Sequence, residues 1–138
     1  MWVDNVIGRL RAQVSALRKV SGAVDFASAT PDLKATPVAY VVPLAEAAGP
    51  NALANQVRQK MEVHFGVIFA IGSLRDARGE AAKEALEPLR AAVRSALLGW
   101  TPDTGFNPIY CTGGRLVDMS EGILWWQDDF TTSFYIHA

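Results

Sequence analysis

The fold class this sequence predicts is α+β: a mostly antiparallel sheet with two unusually long strands and two helices packed on one face. Three observations carry that expectation. Residues 56–71, QVRQKMEVHFGVIFAI, alternate apolar and polar side chains. Residues 123–138, ILWWQDDFTTSFYIHA, alternate in the same way. Segments 3–19 and 80–98 instead repeat apolar residues at three- and four-residue spacing. Period two marks a strand with one buried face, and period 3.6 marks an amphipathic helix.

The first helix is expected over 3–19, where Val3, Val6, Ile7, Leu10, Val14 and Leu17 form the apolar stripe. Gly22 reads as its terminator. A short strand is possible at 23–27, followed by the loop ATPDLKATP. Residues 37–44, PVAYVVPL, read as a strand buried on both faces, with Pro43 limiting pairing at its end. Residues 45–55 carry a Gly-Pro turn signal and read as a connecting loop.

The strand at 56–71 is the clearest element. Val57, Met61, Val63, Phe65, Val67, Phe69 and Ile71 share one face, and only Gln59 interrupts that row. Arg58, Lys60, Glu62 and His64 share the other. From Gly66 onward the second row turns small and apolar, so that end is expected to be covered on both sides. A charged turn at 72–79 leads to the second helix, 80–98, with Ala82, Leu86, Leu89, Val93 and Leu97 inward and Gly99 as C-cap. Pro88 either kinks this helix or starts its main piece. Trp100 and Phe106 fall in the next loop as exposed aromatics.

Residues 109–122 are expected to form two strand pieces broken by Gly113-Gly114, with GGRL as a hairpin turn or bulge. In the last strand Leu124, Trp126, Phe130, Phe134 and Ile136 make the core row. Asp128 breaks that row, and a bulge at 127–129 would turn it outward. This strand is the natural antiparallel partner of 56–71.

Bulk properties limit the function classes. A chain of 138 residues, half of them apolar, fits one domain over 1–138 with a sizeable core. Thirteen Lys and Arg against fourteen Asp and Glu leave no basic excess of the kind a nucleic-acid binder carries. Cys111 is the single cysteine, so neither a disulfide within the chain nor a CxxC metal site can form. It reads as a small core residue. No apolar run is long enough to span a membrane, and the N-terminus reads as a structural helix.

A search for chemistry finds little. His64 and His137 are the only histidines and share no metal-ligand spacing. Adjacent Asp128 and Asp129 point to opposite faces of a regular strand. Phosphate-loop, dinucleotide and nucleophile-elbow motifs are absent. The expectations are no enzyme, no cofactor and no metal. The long strands point elsewhere, because edges that outrun their helices need covering, and an oligomer would supply the cover. Trp125 and Tyr135 on the polar row are the best aromatic anchors for such a contact.

In order and texture the chain resembles the small tail terminator proteins of long-tailed bacteriophages and prophages. The resemblance runs from the N-terminal helix through TPVAYVVPL, QVRQKMEVHFGVIFAI and ALEPLRAAVRSALLGWTP to LWWQDDFTTSFYI. It implies a virion protein with no catalytic residues. Such a protein would form a ring, most often a hexamer, at the neck-proximal end of the tail after synthesis in the host bacterial cytoplasm. Its partners would be copies of itself, the tail-tube protein and a head-side connector. DNA would only pass through the lumen, and no membrane would be involved. Another morphogenesis part, such as a head-completion or tube-like protein, is the alternative reading, ahead of a small enzyme. The residues expected at subunit or tube contacts are Arg58, Lys60 and Glu62 on one patch and Asp128, Asp129 or Tyr135 on another, with Trp100 and Trp125.

Overall fold

The computed structural model describes residues 1–29, 36–72 and 80–138. Among these residues the strands are β1 (Lys19–Ser21), β2 (Val38–Ala48), β3 (Arg58–Gly72), β4 (Tyr110–Ser120) and β5 (Ile123–His137). They form one sheet in the order β1-β2-β3-β5-β4. The helices are α1 (Trp2–Gln13), α2 (Ala23–Ala27) and α3 (Glu80–Leu97). β1 runs parallel to β2, and every other neighbouring pair is antiparallel. The class is the α+β predicted.

β3 and β5 are the spine. Each has 15 residues, and they pair over their full length from Arg58↔His137 to Gly72↔Ile123 without a register shift. At 3.3 Å per residue each spans roughly 50 Å. Val63, Phe65, Val67, Phe69 and Ile71 of β3 join Leu124 and Phe130 of β5 beneath α1 and α3. Phe65 is fully buried, with the rings of Trp2 and Phe130 at 5.3 and 5.5 Å. The predicted stripe of α3 is buried at Ala82, Leu86, Leu89, Val93 and Leu97. α3 runs through Pro88 as one helix.

Several boundaries differ from the sequence reading. α1 stops at Gln13 rather than at 19, yet Val14 and Leu17 stay buried from the turn that follows. The chain must enter the sheet as β1, and the Arg11 guanidinium ties the last turn of α1 to the Val20 carbonyl. Gly22 then precedes a helix, and 23–27 is α2 rather than a strand. α2 packs on the opposite face of the sheet, where Phe26 meets Tyr40 and Trp125 beside Val38 and Ile68. Thus two helices share one face as expected, and a short third covers part of the other.

β2 continues to Ala48, through residues expected to be a loop. Its register shifts between Pro43 and Ala45, where proline cannot donate to the ladder. β4 is one strand with shifts at Cys111/Gly113 and Leu116/Asp118. The two-residue turn after it is Glu121-Gly122, both at positive φ, as a tight hairpin requires. Gly113-Gly114 is therefore a bulge region and no hairpin turn. Cys111 is exposed, since β4 is an edge strand. Gly72 of the expected 72–79 turn ends β3, and residues 73–79 and most of the 29–37 loop lie outside the described residues.

Candidate assembly surfaces

Asp128 shows how the core row tolerates a carboxylate. β5 has no bulge there, so Asp128 points inward and is fully buried. Arg90 of α3 donates to it from Nε and Nη2 at 2.9–3.1 Å, and Trp126 Nε1 donates at 2.9 Å. The Arg90 guanidinium also stacks on Trp126, 4.6 Å from its ring centre. Its pKa is held above the usual arginine range, first by the Asp128 hydrogen bond. A Cβ on Gly114 of β4 would collide with the Asp128 carboxylate, so glycine leaves room for the pair. The expected outward turn of Asp128 is corrected by this partner. A carboxylate with no exposed surface offers nothing to a neighbouring molecule.

Asp129 faces the other side, at the sheet surface. It pairs with Arg115 of β4 at 3.1 Å and accepts from Gln127 Nε2. Trp125 is half-buried on the same side, stacked on Tyr40. Trp100 also differs from the exposed aromatic expected: it packs against the core, and the Arg9 guanidinium lies 4.7 Å from its ring centre. Phe106 likewise stacks on Phe134 at 4.9 Å.

From Glu62 back to Arg58 the burial of β3 falls away, as it does along β2 from Pro43. Here β2 from Pro43 to Ala48, the start of β3 and the end of β5 form a three-stranded arm. Arg58, Lys60 and Tyr135 are exposed on it, and Glu62 is half-buried. Register places Lys60 opposite Tyr135 and Glu62 opposite Ser133. The Arg58 guanidinium covers the Tyr135 ring at 4.2 Å. Tyr135 therefore belongs with Arg58 and Lys60, not with Asp129 as the sequence reading grouped it. These four side chains line an open groove of about 510 Å³ with Ala47, Ala48 and the 49–52 turn. Asn51 holds that turn by accepting from the Arg58 N–H and donating to the Leu53 and Gln56 carbonyls. Further down this face His64 Nδ1 sits 2.8 Å from Thr131 Oγ1 and Nε2 sits 3.8 Å from Glu62.

The far edge of the sheet is the second uncovered surface. All 11 residues of β4 are exposed, and Tyr110, Leu116, Val117 and Met119 are among the large apolar side chains left open. Sequence reasoning missed this edge because GGRL hid the continuity of the strand. The apolar run after it, LVDM, was the available signal. Among the described residues no three His, Cys, Asp or Glu side chains are grouped to hold a metal ion. The arrangement offers contact surfaces: one charged and aromatic, one an open strand.

Comparison with known proteins gives this geometry a context. A chain from the virion of a native gene transfer agent particle has a similar fold, with a TM-score of 0.56 at 18% identity over 97% of this chain and 94% of that one. No curated protein matches. The family model for phage tail terminator proteins matches residues 1–138, the whole sequence. This chain belongs to the phage tail terminator protein family and is a structural component of a phage tail.

Proposed function

We propose that the protein forms a ring, most simply a hexamer, that caps the head-proximal end of the tail tube. The ring halts tube polymerisation and presents a joining surface to the head-side connector, while DNA passes through its lumen. The observation that carries this reading is the uncovered arm: in a chain of this family, strands that outrun their own helices leave a charged and aromatic surface for other copies or for the tube. Arg58, Lys60, Glu62 and Tyr135 form one contact patch. Asp129 and Trp125 belong to a second patch on the same sheet face. Two different patches suit the head-to-tail contacts of a cyclic ring. The protein acts by binding, and no catalytic step is assigned to it.

The test uses the tail-tube protein of the same phage. Added to growing tubes, the wild type should stop elongation and appear at one tube end in electron micrographs. Lys60→Glu and Asp129→Lys variants should assemble poorly. If both variants build rings and stop tubes like the wild type, the placement of the patches is wrong.

A further inference from the structure

We infer that neighbouring subunits in the proposed ring join by strand addition, with β4 of one subunit pairing along the free outer edge of β2 in the next. This inference rests on the ring reading. Among the described residues the sheet leaves three stretches of strand edge to the outside. The β1 edge is blocked, because Arg11 donates twice to the Val20 carbonyl at 2.8–3.0 Å. β1 covers only Val38, Ala39 and Tyr40 of β2, so among the described residues no strand lies beside the rest of the outer edge of β2. β4 closes the opposite side of the sheet and is exposed along its whole length.

Polarity favours joining these two edges. β2, β3, β5 and β4 alternate in direction, so β4 is antiparallel to β2. A second copy placed beside the first therefore continues the antiparallel pattern without inversion. The contact is head-to-tail, and a repeated head-to-tail contact closes into a ring when its rotation divides a full turn.

The stagger between the edges also fits. Arg115 of β4 stands level with Ile68 of β3 through Gln127, whereas Ala45 and Ala47 of β2 stand level with His64 and Glu62. Setting Arg115 opposite Ala45 or Ala47 keeps all three side chains on the same sheet face and needs a slip of four or six residues. In a closed sheet with strands tilted by roughly 35–45°, register slips by about 1–1.5 residues per strand, or roughly four to six over four strands. The short Ala45, Ala47 and Ala48 side chains let a second strand approach. The bulges of β4 near Thr112 and Val117 limit regular pairing to the stretch between them.

Disulfide trapping tests this in a Cys111→Ser background. Protein carrying Arg115→Cys with Ala47→Cys, and a second form with Ala45→Cys in its place, is oxidised after rings form on tail tubes. At least one pair should give a covalent ladder ending at the ring size. The single Arg115→Cys form should give no dimer above background. Rings seen by microscopy with no ladder from either pair would overturn strand addition and leave the ring reading intact. A strong dimer from Arg115→Cys alone would overturn it in favour of β4 meeting β4. A protein that stays monomeric on tubes would remove the ring reading and this inference together.

Discussion

The same two strands lead different lives in their two halves. In the covered half, β3 from Phe65 to Ile71 is buried between α1 and α3 on one side and α2 on the other. In the arm, residues 58–62 of β3 and 135–137 of β5 are exposed or half-buried. The ladder runs unbroken through both halves. Backbone pairing therefore does not distinguish them; side-chain cover does. The covered half folds the subunit, and we read the arm as the part left for other molecules.

The largest expected effect lies in the covered half. Phe65→Ala should lower unfolding free energy by about 3–5 kcal/mol, because an aromatic ring is removed from a site with no access to water. Urea unfolding followed by tryptophan fluorescence measures it. A loss below 1 kcal/mol would mean that the core is not organised around the Trp2, Phe65 and Phe130 rings.

Next come two adjacent aspartates that differ only in face. Asp128→Ala should cost about 3 kcal/mol, since it removes the buried partner of Arg90 and leaves only the exposed Glu87 carboxylate at 2.9 Å. Asp129→Ala should cost less, about 1–2 kcal/mol, because its partner Arg115 is largely exposed and water screens the pair, while the buried Gln127 amide loses an acceptor. Equal losses in the two variants would erase the distinction between the faces.

A smaller effect is alkaline. Burial, and secondarily the nearby Asp25 carboxylate, raise the pKa of Tyr40 above the ordinary tyrosine value. The folded state thus favours the neutral phenol. Its contribution to stability is complete below the unfolded tyrosine pKa, near 10. It fades as pH rises from there through the raised folded pKa. Tyrosinate absorbance should show a late-titrating component that disappears in Tyr40→Phe. An unchanged titration in that variant would contradict the cover supplied by α2.

The covered half was also the more legible in sequence. Alternation at 56–71 and 123–138 predicted both long strands and their pairing, because one buried face imposes a strict period of two. The stripe of α3 was legible for the corresponding helical reason. Asp128 was misread because its partner Arg90 is 38 residues away, and no local pattern links them. β2 beyond Pro43 was misread because AEAA has weak strand propensity and is held by pairing with β3. α2 is too short to show a period. Of the candidate site residues, alternation correctly put Arg58, Lys60 and Tyr135 on the polar rows. Only the register between strands could show that they sit together.

The most direct measurement compares folding and capping in one variant of the arm. Lys60→Glu combined with Tyr135→Ala should unfold within about 1 kcal/mol of wild type, since both sites are exposed. Added to growing tail tubes, it should let them lengthen past the wild-type limit. Tubes that stop at the wild-type length would contradict the claim that the arm is an assembly surface. A collapse in stability would show that the arm belongs to the core after all.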